Sequence, residues 1–343
     1  MENKNILEEK ISKFNPNENG LRDHGIFGLP FEEKESKIVL LPIPWEATVS
    51  YGAGTSFAPG AILEASQQID LYDAFKEDFW KKGIALATNL IDIFSLSKKI
   101  CKKTKKYLKK YSTGEINKSL QEKINNEYEK LNNYIEQKTT ELLNEDKFVG
   151  VIGGEHGVIL GYVKALAKKH SSFGILQIDA HSDLRTSYEG IRYSHASIFQ
   201  NILEIQNIKK LVQIGIRDSS VEENNFIKKT GDRVKVFYDA DIKKEIFNGG
   251  SWSMECDKII KELPEKVYIS FDIDGLDPAL CPNTGTPVPG GFSYNEMTFL
   301  FEKIIDSGRE VIGFDLCEVV PGKNDWDANV ASRILYKLCS LIK

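Results

Sequence analysis

Cysteine is scarce and scattered. Cys101, Cys256, Cys281, Cys317 and Cys339 are odd in number, and no two form a C-x-x-C pair. That excludes a disulfide framework and a thiolate zinc site, and it suits a reducing compartment. No apolar run approaches the roughly 20 residues that a membrane helix needs. The opening "MENKNILEEKISKFN" is polar and lacks the apolar segment of a secretory signal. A basic balance is also missing: 45 Lys and Arg against 50 Asp and Glu leave a formal charge of −5. Nothing global therefore draws the chain to nucleic acid. These absences point to a soluble cytoplasmic protein with no nucleic-acid and no membrane partner. Its 343 residues suffice to bury a large core.

What the sequence does contain is a series of short apolar runs bounded by turn residues. They are "KIVLLPIP", "GIALAT", "FVGVIGG", "FGILQID", "LVQIGI", "VKVFY", "VYISFDID" and "EVIGFDL". Helical spacing lies between most of them, and strands alternating with helices build a parallel sheet covered on both faces. The expected fold is α/β, a three-layer α/β/α sandwich around a central, mostly parallel, about eight-stranded sheet. Residues 1–36, rich in charge, read as a loosely packed lead-in, and residues 37–343 as a single domain. Within it, "KKICKKTKKYLKK" (98–110) holds eight Lys and no acid. A basic patch for an anionic partner is one reading. A solvated helix face over inward-turned Ile100, Tyr107 and Leu108 is the plainer one. From Ile116 to Leu142 apolar residues recur at intervals of three, four and seven, predicting an amphipathic helix.

Three strand ends finish in metal-ligand residue types. "VIGGEHG" presents Glu155 and His156; "QIDAHSD" presents Asp179, His181 and Asp183; "SFDIDGLDP" presents Asp272 and Asp274. Spacing two puts alternate side chains on one side of an extended segment. In open parallel sheets the crevice lies beyond the carboxyl ends of the strands, so all three clusters would face it. One Asp at a strand end is ordinarily a turn former, and one His is ordinarily a satisfied core residue. Six such groups, four of them acids, would cost several kcal/mol if buried without compensation. Two divalent ions sharing carboxylates suit this donor set better than one tetrahedral zinc. Oxygen-rich ligation favours Mn²⁺, with Ni²⁺ or another divalent metal as the alternative.

These motifs resemble those of the ureohydrolase (arginase/agmatinase) family, as do "YGAGTSFAPGAI" (51–62), "CPNTGTPVPGGFSYNE" (281–296) and "FDLCEVVP" (314–321). The resemblance runs from about residue 37 to the end and is nearest to agmatinase-like members. It implies two Mn²⁺ per chain, one held by His156, Asp179, Asp183 and Asp272, the other by Asp179, His181, Asp272 and Asp274. It also implies Glu318 as the partner of a substrate guanidinium, Asp183 as a proton relay, and His195 in "RYSHASIF" as a proton shuttle near the substrate. The activity implied is hydrolysis of a guanidino compound, agmatine-like, to urea and an amine by attack of a hydroxide held between the ions. A trimeric or hexameric homo-oligomer is implied as well.

Glu155 is expected to support a loop or a ligand, Asp277 to form a turn before Pro278, and His170 to end a helix. Arg185, in "DLR", is a fixed cation that could meet a substrate carboxylate or pair with Glu189 or another local acid. Where the family commonly has Ser after the first His and Gly after the loop His, this chain has Gly157 and Ala196. The stretch with which arginases hold the amino-acid end of arginine is absent after Asp183. Other substrates in view are guanidinobutyrate, free guanidine and formiminoglutamate. A non-catalytic scaffold and a deacetylase on a related fold are the competing classes.

Overall fold

The computed structural model describes residues 2–17, 25–48 and 52–342. Tyr51, which opens one of the motifs above, falls outside them. In chain order the elements are α1 (Glu2–Lys13), β1 (Ile38–Ile43), α2 (Ala58–Ser66), β2 (Ile84–Leu86), α3 (Ile93–Tyr111), α4 (Lys118–Asn144), β3 (Phe148–Gly153), α5 (Leu160–Lys169), β4 (Phe173–Ile178) and α6 (Ile198–Ile202). They continue with β5 (Ile208–Ile216), α7 (Val221–Thr230), β6 (Val234–Tyr238), α8 (Asp239–Phe247), α9 (Trp252–Glu262), β7 (Lys266–Asp272), α10 (Tyr294–Asp306), β8 (Glu310–Cys317) and α11 (Trp326–Ser340). All eight apolar runs are strands.

The strands form one sheet in the order β2-β1-β3-β8-β7-β4-β5-β6, and every neighbouring pair is parallel. Burial on both faces explains the near-continuous apolar runs. In β1, Ile38 and Leu40 enter one core while Val39, Leu41 and Ile43 enter the other. In β4, Leu176 and Ile178 face the first core, and Phe173 and Ile175 the second. Residues of α2 and α8 to α11 close the first face, and those of α3 to α7 the second. This is the expected three-layer sandwich.

Three local expectations met different outcomes. The Lys-rich run is α3, with Ile100 and Tyr107 buried and Leu108 half-buried against the core, so its lysines form the outward face. The next helix, α4, buries Ile124, Tyr128, Leu131, Ile135 and Leu142, whereas Ile116 precedes it and is exposed. The stretch 25–36 is not loosely packed. Ile26, Phe27, Leu29 and Phe31 are buried; Phe27 meets Tyr336 edge-on at 5.0 Å, and Phe31 stacks on Trp80 at 6.3 Å. Charge counted over the whole segment hid this apolar quartet.

The sheet places the site. β7 and β8 insert between β3 and β4, so the carboxyl ends of β3, β8, β7 and β4 are neighbours at the sheet's centre. At the end of β3, a β-carbon on Gly154 would lie 2.1 Å from the carbonyl oxygen of Trp45. Glycine there lets the segment after β1 cross tightly over the end of β3. We expect Gly154→Ala to destabilise the chain by about 1–3 kcal/mol or more through overpacking against rigid backbone. A lowered urea midpoint with unchanged slope would show it.

Candidate metal centre and active site

Each candidate ligand follows a strand directly. His156 opens the turn after β3; Asp179, His181 and Asp183 follow β4; Asp272 ends β7 and Asp274 lies one turn on. All except His181 are buried, at 5% exposure or less. His156 Nδ1 lies 3.3 Å from Asp179 Oδ2, 3.3 Å from Asp183 Oδ2 and 3.4 Å from Asp272 Oδ2. His181 Nδ1 lies 3.0 Å from Asp274 Oδ2 and 3.6 Å from Asp179 Oδ1. Among the described residues, two groups could each hold a cation, His156 with Asp179 and Asp272, and Asp179 with His181 and Asp274. Asp179 belongs to both.

One atom tests whether a cation fits. His156 Nδ1 is buried and makes no hydrogen bond among the described residues, although three carboxylates surround it. Its other ring nitrogen, Nε2, is 2.8 Å from Ser270 Oγ and 3.7 Å from Asp315 Oδ1. A hydrogen on Nε2 satisfies that side and leaves Nδ1 as a bare lone pair aimed among the acids. That is the arrangement of a metal-binding imidazole whose second nitrogen is anchored.

Titration behaviour points the same way. Against the effect of burial, Asp274 and Asp179 push the His181 imidazole up to about 12, and Asp179, Asp183 and Asp272 push His156 well above its usual range. Burial and the neighbouring Asp179 raise Asp183, and burial with Asp274 and Asp179 raises Asp272. Burial opposes ionisation of Asp179, yet the two imidazoles hold its carboxyl well below the ordinary range. With no cation beyond the two imidazoles, the crowding is relieved only by driving Asp183 and Asp272 toward their protonated forms, and divalent ions would let all four carboxylates ionise.

Beneath the cluster runs a row of polar side chains that sequence reasoning missed. Register places Gln213, Gln177, Ser270 and Asp315 side by side across β5, β4, β7 and β8. All four are fully buried. Gln213 Nε2 donates to Gln177 Oε1 at 2.6 Å, and Gln177 Nε2 donates to Asp179 Oδ2 at 2.8 Å. The available signal was one polar residue interrupting each of four apolar runs.

Above the cluster, a cleft of about 260 Å³ is lined by His181, Asp183, Asp272, Asp274, His195 and Glu318, with Arg185 on its wall. Glu318 Oε1 accepts the His156 amide at 2.6 Å, and burial raises its carboxyl well above the usual range. Asp183 and Glu318 both adopt left-handed backbone, with φ of 54° and 62°. Such strain in residues with a β-carbon gathers where geometry serves a site. Burial and the His181 and His156 charges push the His195 imidazole down to about 4, so it is neutral near pH 7. Arg185 Nε stands 3.8 Å from Glu223 Oε2. Its local acid is Glu223 rather than Glu189.

Several neighbours complete the site. Glu155 accepts the Ala47 and Thr48 amides at 2.9 and 2.8 Å, so it holds the loop after β1 and lies outside both candidate cation groups. Gly157 is explained by the loop that carries His195: a β-carbon there would lie 2.9 Å from the Tyr193 carbonyl oxygen and 3.2 Å from the His195 amide. Asp277 accepts the Ala279 amide in a turn, and His170 caps α5. Tyr188, Asp218, Ser219 and Glu223 also line the cleft. Asp218 follows β5 in "GIRDSS" and was open to the same strand-end logic.

The architecture and the motifs have counterparts. The N(1)-aminopropylagmatine ureohydrolase of Thermus thermophilus is 29% identical over 316 residues, 91% of this chain and 92% of that protein. The agmatinase of Bacillus cereus is 31% identical over 288 residues, 84% of this chain and 85% of that one. The agmatine ureohydrolase structure from Thermoplasma volcanium superposes with a TM-score of 0.71 at 24% identity, covering 97% of each chain, a likeness that speaks for the fold. A sequence model of the Arginase family matches residues 36–340. With eight parallel strands, ligand-type residues at the ends of three of them, and relatives aligned over most of its length, the chain belongs to the arginase family.

Proposed function

We propose that the protein is a metal-dependent amidinohydrolase that cleaves an agmatine-like guanidino compound to urea and an amine. The observation that carries this is the bare Nδ1 of His156, buried amid three carboxylates with no hydrogen bond among the described residues. His156, Asp179, Asp183 and Asp272 would hold one divalent ion, and Asp179, His181, Asp272 and Asp274 a second. When bound, such ions lower the pKa of water towards neutrality and so supply a nucleophile.

The chain's own residues do the rest. Glu318, buried beside the cluster, offers its carboxylate to the planar fork of a guanidinium, which matches it with two parallel N–H donors. Fixing the guanidinium carbon there supplies proximity, a large part of the help for so poor an electrophile. Asp183 is placed to take the proton released by attack. An amine leaves readily only when protonated, and the neutral imidazole of His195 is suited to carry that proton. Asp218 and Glu223 outnumber Arg185 on the wall, which favours a substrate with a cationic tail such as agmatine or N(1)-aminopropylagmatine. The oxygen-rich donor set supports Mn²⁺. A cytoplasmic homo-oligomer, trimeric or hexameric, completes the reading by resemblance to the family.

The test is urea or ammonia release across agmatine, N(1)-aminopropylagmatine, 4-guanidinobutyrate, guanidine and formiminoglutamate, with Mn²⁺ and Ni²⁺ in parallel. The expected result is turnover greatest on the two cationic substrates. Preference for 4-guanidinobutyrate or formiminoglutamate would make Arg185 the specificity residue instead. Two ions per chain with no turnover on any substrate would defeat the hydrolase assignment.

A further inference from the structure

The hydroxyl of Thr48 stands where three groups meet. Its Oγ1 lies 3.1 Å from Glu155 Oε2, 3.1 Å from the Tyr128 phenol and 3.1 Å from His195 Nδ1. A hydroxyl has one proton, so the group it points at decides which hydrogen the imidazole must carry. Glu155 receives the Ala47 amide, the Thr48 amide, the Thr48 hydroxyl and the Tyr128 phenol. The Ala47 and Thr48 amides and the Thr48 hydroxyl all meet the same oxygen, Oε2, and amides can only donate, so that oxygen carries no hydrogen. The phenol of fully buried Tyr128 spends its own proton on Glu155 Oε1. A contact between the Thr48 hydroxyl and an oxygen without a hydrogen is a bond only if the hydroxyl donates, so the Thr48 proton goes to Glu155 Oε2. Thr48 Oγ1 is left to accept from His195, and the hydrogen on that ring sits at Nδ1.

We propose that Glu155 and Thr48, backed by Tyr128, form a relay that fixes His195 as its Nδ1–H tautomer and so makes Nε2 the proton-accepting nitrogen. Thr48 is a positioning residue in this scheme, acting through His195. It is well held for the task, because its backbone amide and its hydroxyl both bond the same carboxylate, and its β-branched side chain has few rotamers. The relay ties α4, through Tyr128 and Thr48, to His195 on the cleft wall. It gives Glu155 a purpose beyond holding the segment after β1. The inference rests on His195 as the proton carrier of the function proposed above.

The test reads the ring directly. The 343-residue chain has five His, so ¹⁵N-histidine labelling gives a simple spectrum in which His195→Gln assigns the signal. Without paramagnetic metal, His195 should show a protonated Nδ1 and an unprotonated Nε2. Thr48→Val, nearly isosteric, should lose that single tautomer, and Thr48→Ser should keep it. In turnover, Thr48→Val should lower kcat on the order of 10- to 100-fold with KM within about twofold, and Thr48→Ser should recover most of it. A hydrogen on Nε2 in the unmutated protein overturns the relay without reference to any variant. So does an unchanged tautomer in folded Thr48→Val. An Nδ1–H signal in protein inactive on every guanidine would defeat the proposed function while leaving the relay standing.

Discussion

Asp179→Ala should abolish both metal loading and turnover. Asp179 is common to the two groups of described residues able to hold a cation, and it is fully buried between His156 and His181. Its removal takes a donor from both groups at once. The loss of urea release should therefore exceed the about 10- to 100-fold cost of deleting a mere supporting partner, reaching on the order of 10³-fold or more. Stability separates this from misfolding. In the metal-free chain the mutation deletes the acceptor of the His181 amide and of Gln177 Nε2, a cost of about 1–3 kcal/mol. It also removes one of four crowded carboxylates, which offsets much of that cost. The metal-free variant should then melt near the unmutated protein. What disappears is the stabilisation by added Mn²⁺, about 2.7 kcal/mol per site at a hundredfold excess over Kd. Calorimetric scans with and without Mn²⁺, beside elemental analysis, check both halves. A variant that still retains two ions refutes Asp179 as the shared ligand.

The strands and the ligand clusters were legible for the same reason. Parallel strands buried on both faces must be apolar along their length, so an acid or imidazole at their end stands out against the run. Strand order was not legible, because nothing local in "VYISFDID" or "EVIGFDL" says that β7 and β8 insert between β3 and β4. The buried row from Gln213 to Asp315 was visible only as single polar residues, and its alignment needed the register of four strands. Thr48 and Tyr128 are further from view. They lie 80 residues apart, and Thr48 is 107 residues from Glu155, so their bonds exist only after the sheet and α4 have packed. The segment 25–36 was misread because four apolar residues among many charges average to a polar composition.

Glu318→Gln should leave two ions in place and lose substrate recognition. The substitution keeps shape and the same backbone demand, since both residues must adopt the left-handed φ of 62° found here. The amide oxygen can still accept the His156 N–H, which Glu318 Oε1 now takes at 2.6 Å. What changes is the side facing the cleft, where an N–H₂ group would meet the N–H donors of a guanidinium. Breaking a buried ion pair by removing one charge costs about 3–5 kcal/mol, which predicts a loss in kcat/KM on the order of 10³-fold. Glu318→Ala is the harsher comparison, because it also strips the His156 amide of its acceptor and can disturb the ligand itself. If the charge matters for the substrate, the two variants should share a similar kinetic defect while only the alanine form binds metal more weakly. Should the glutamine form instead shed metal and bind substrate normally, Glu318 serves the His156 loop, and the guanidinium must be read by another acid of the cleft.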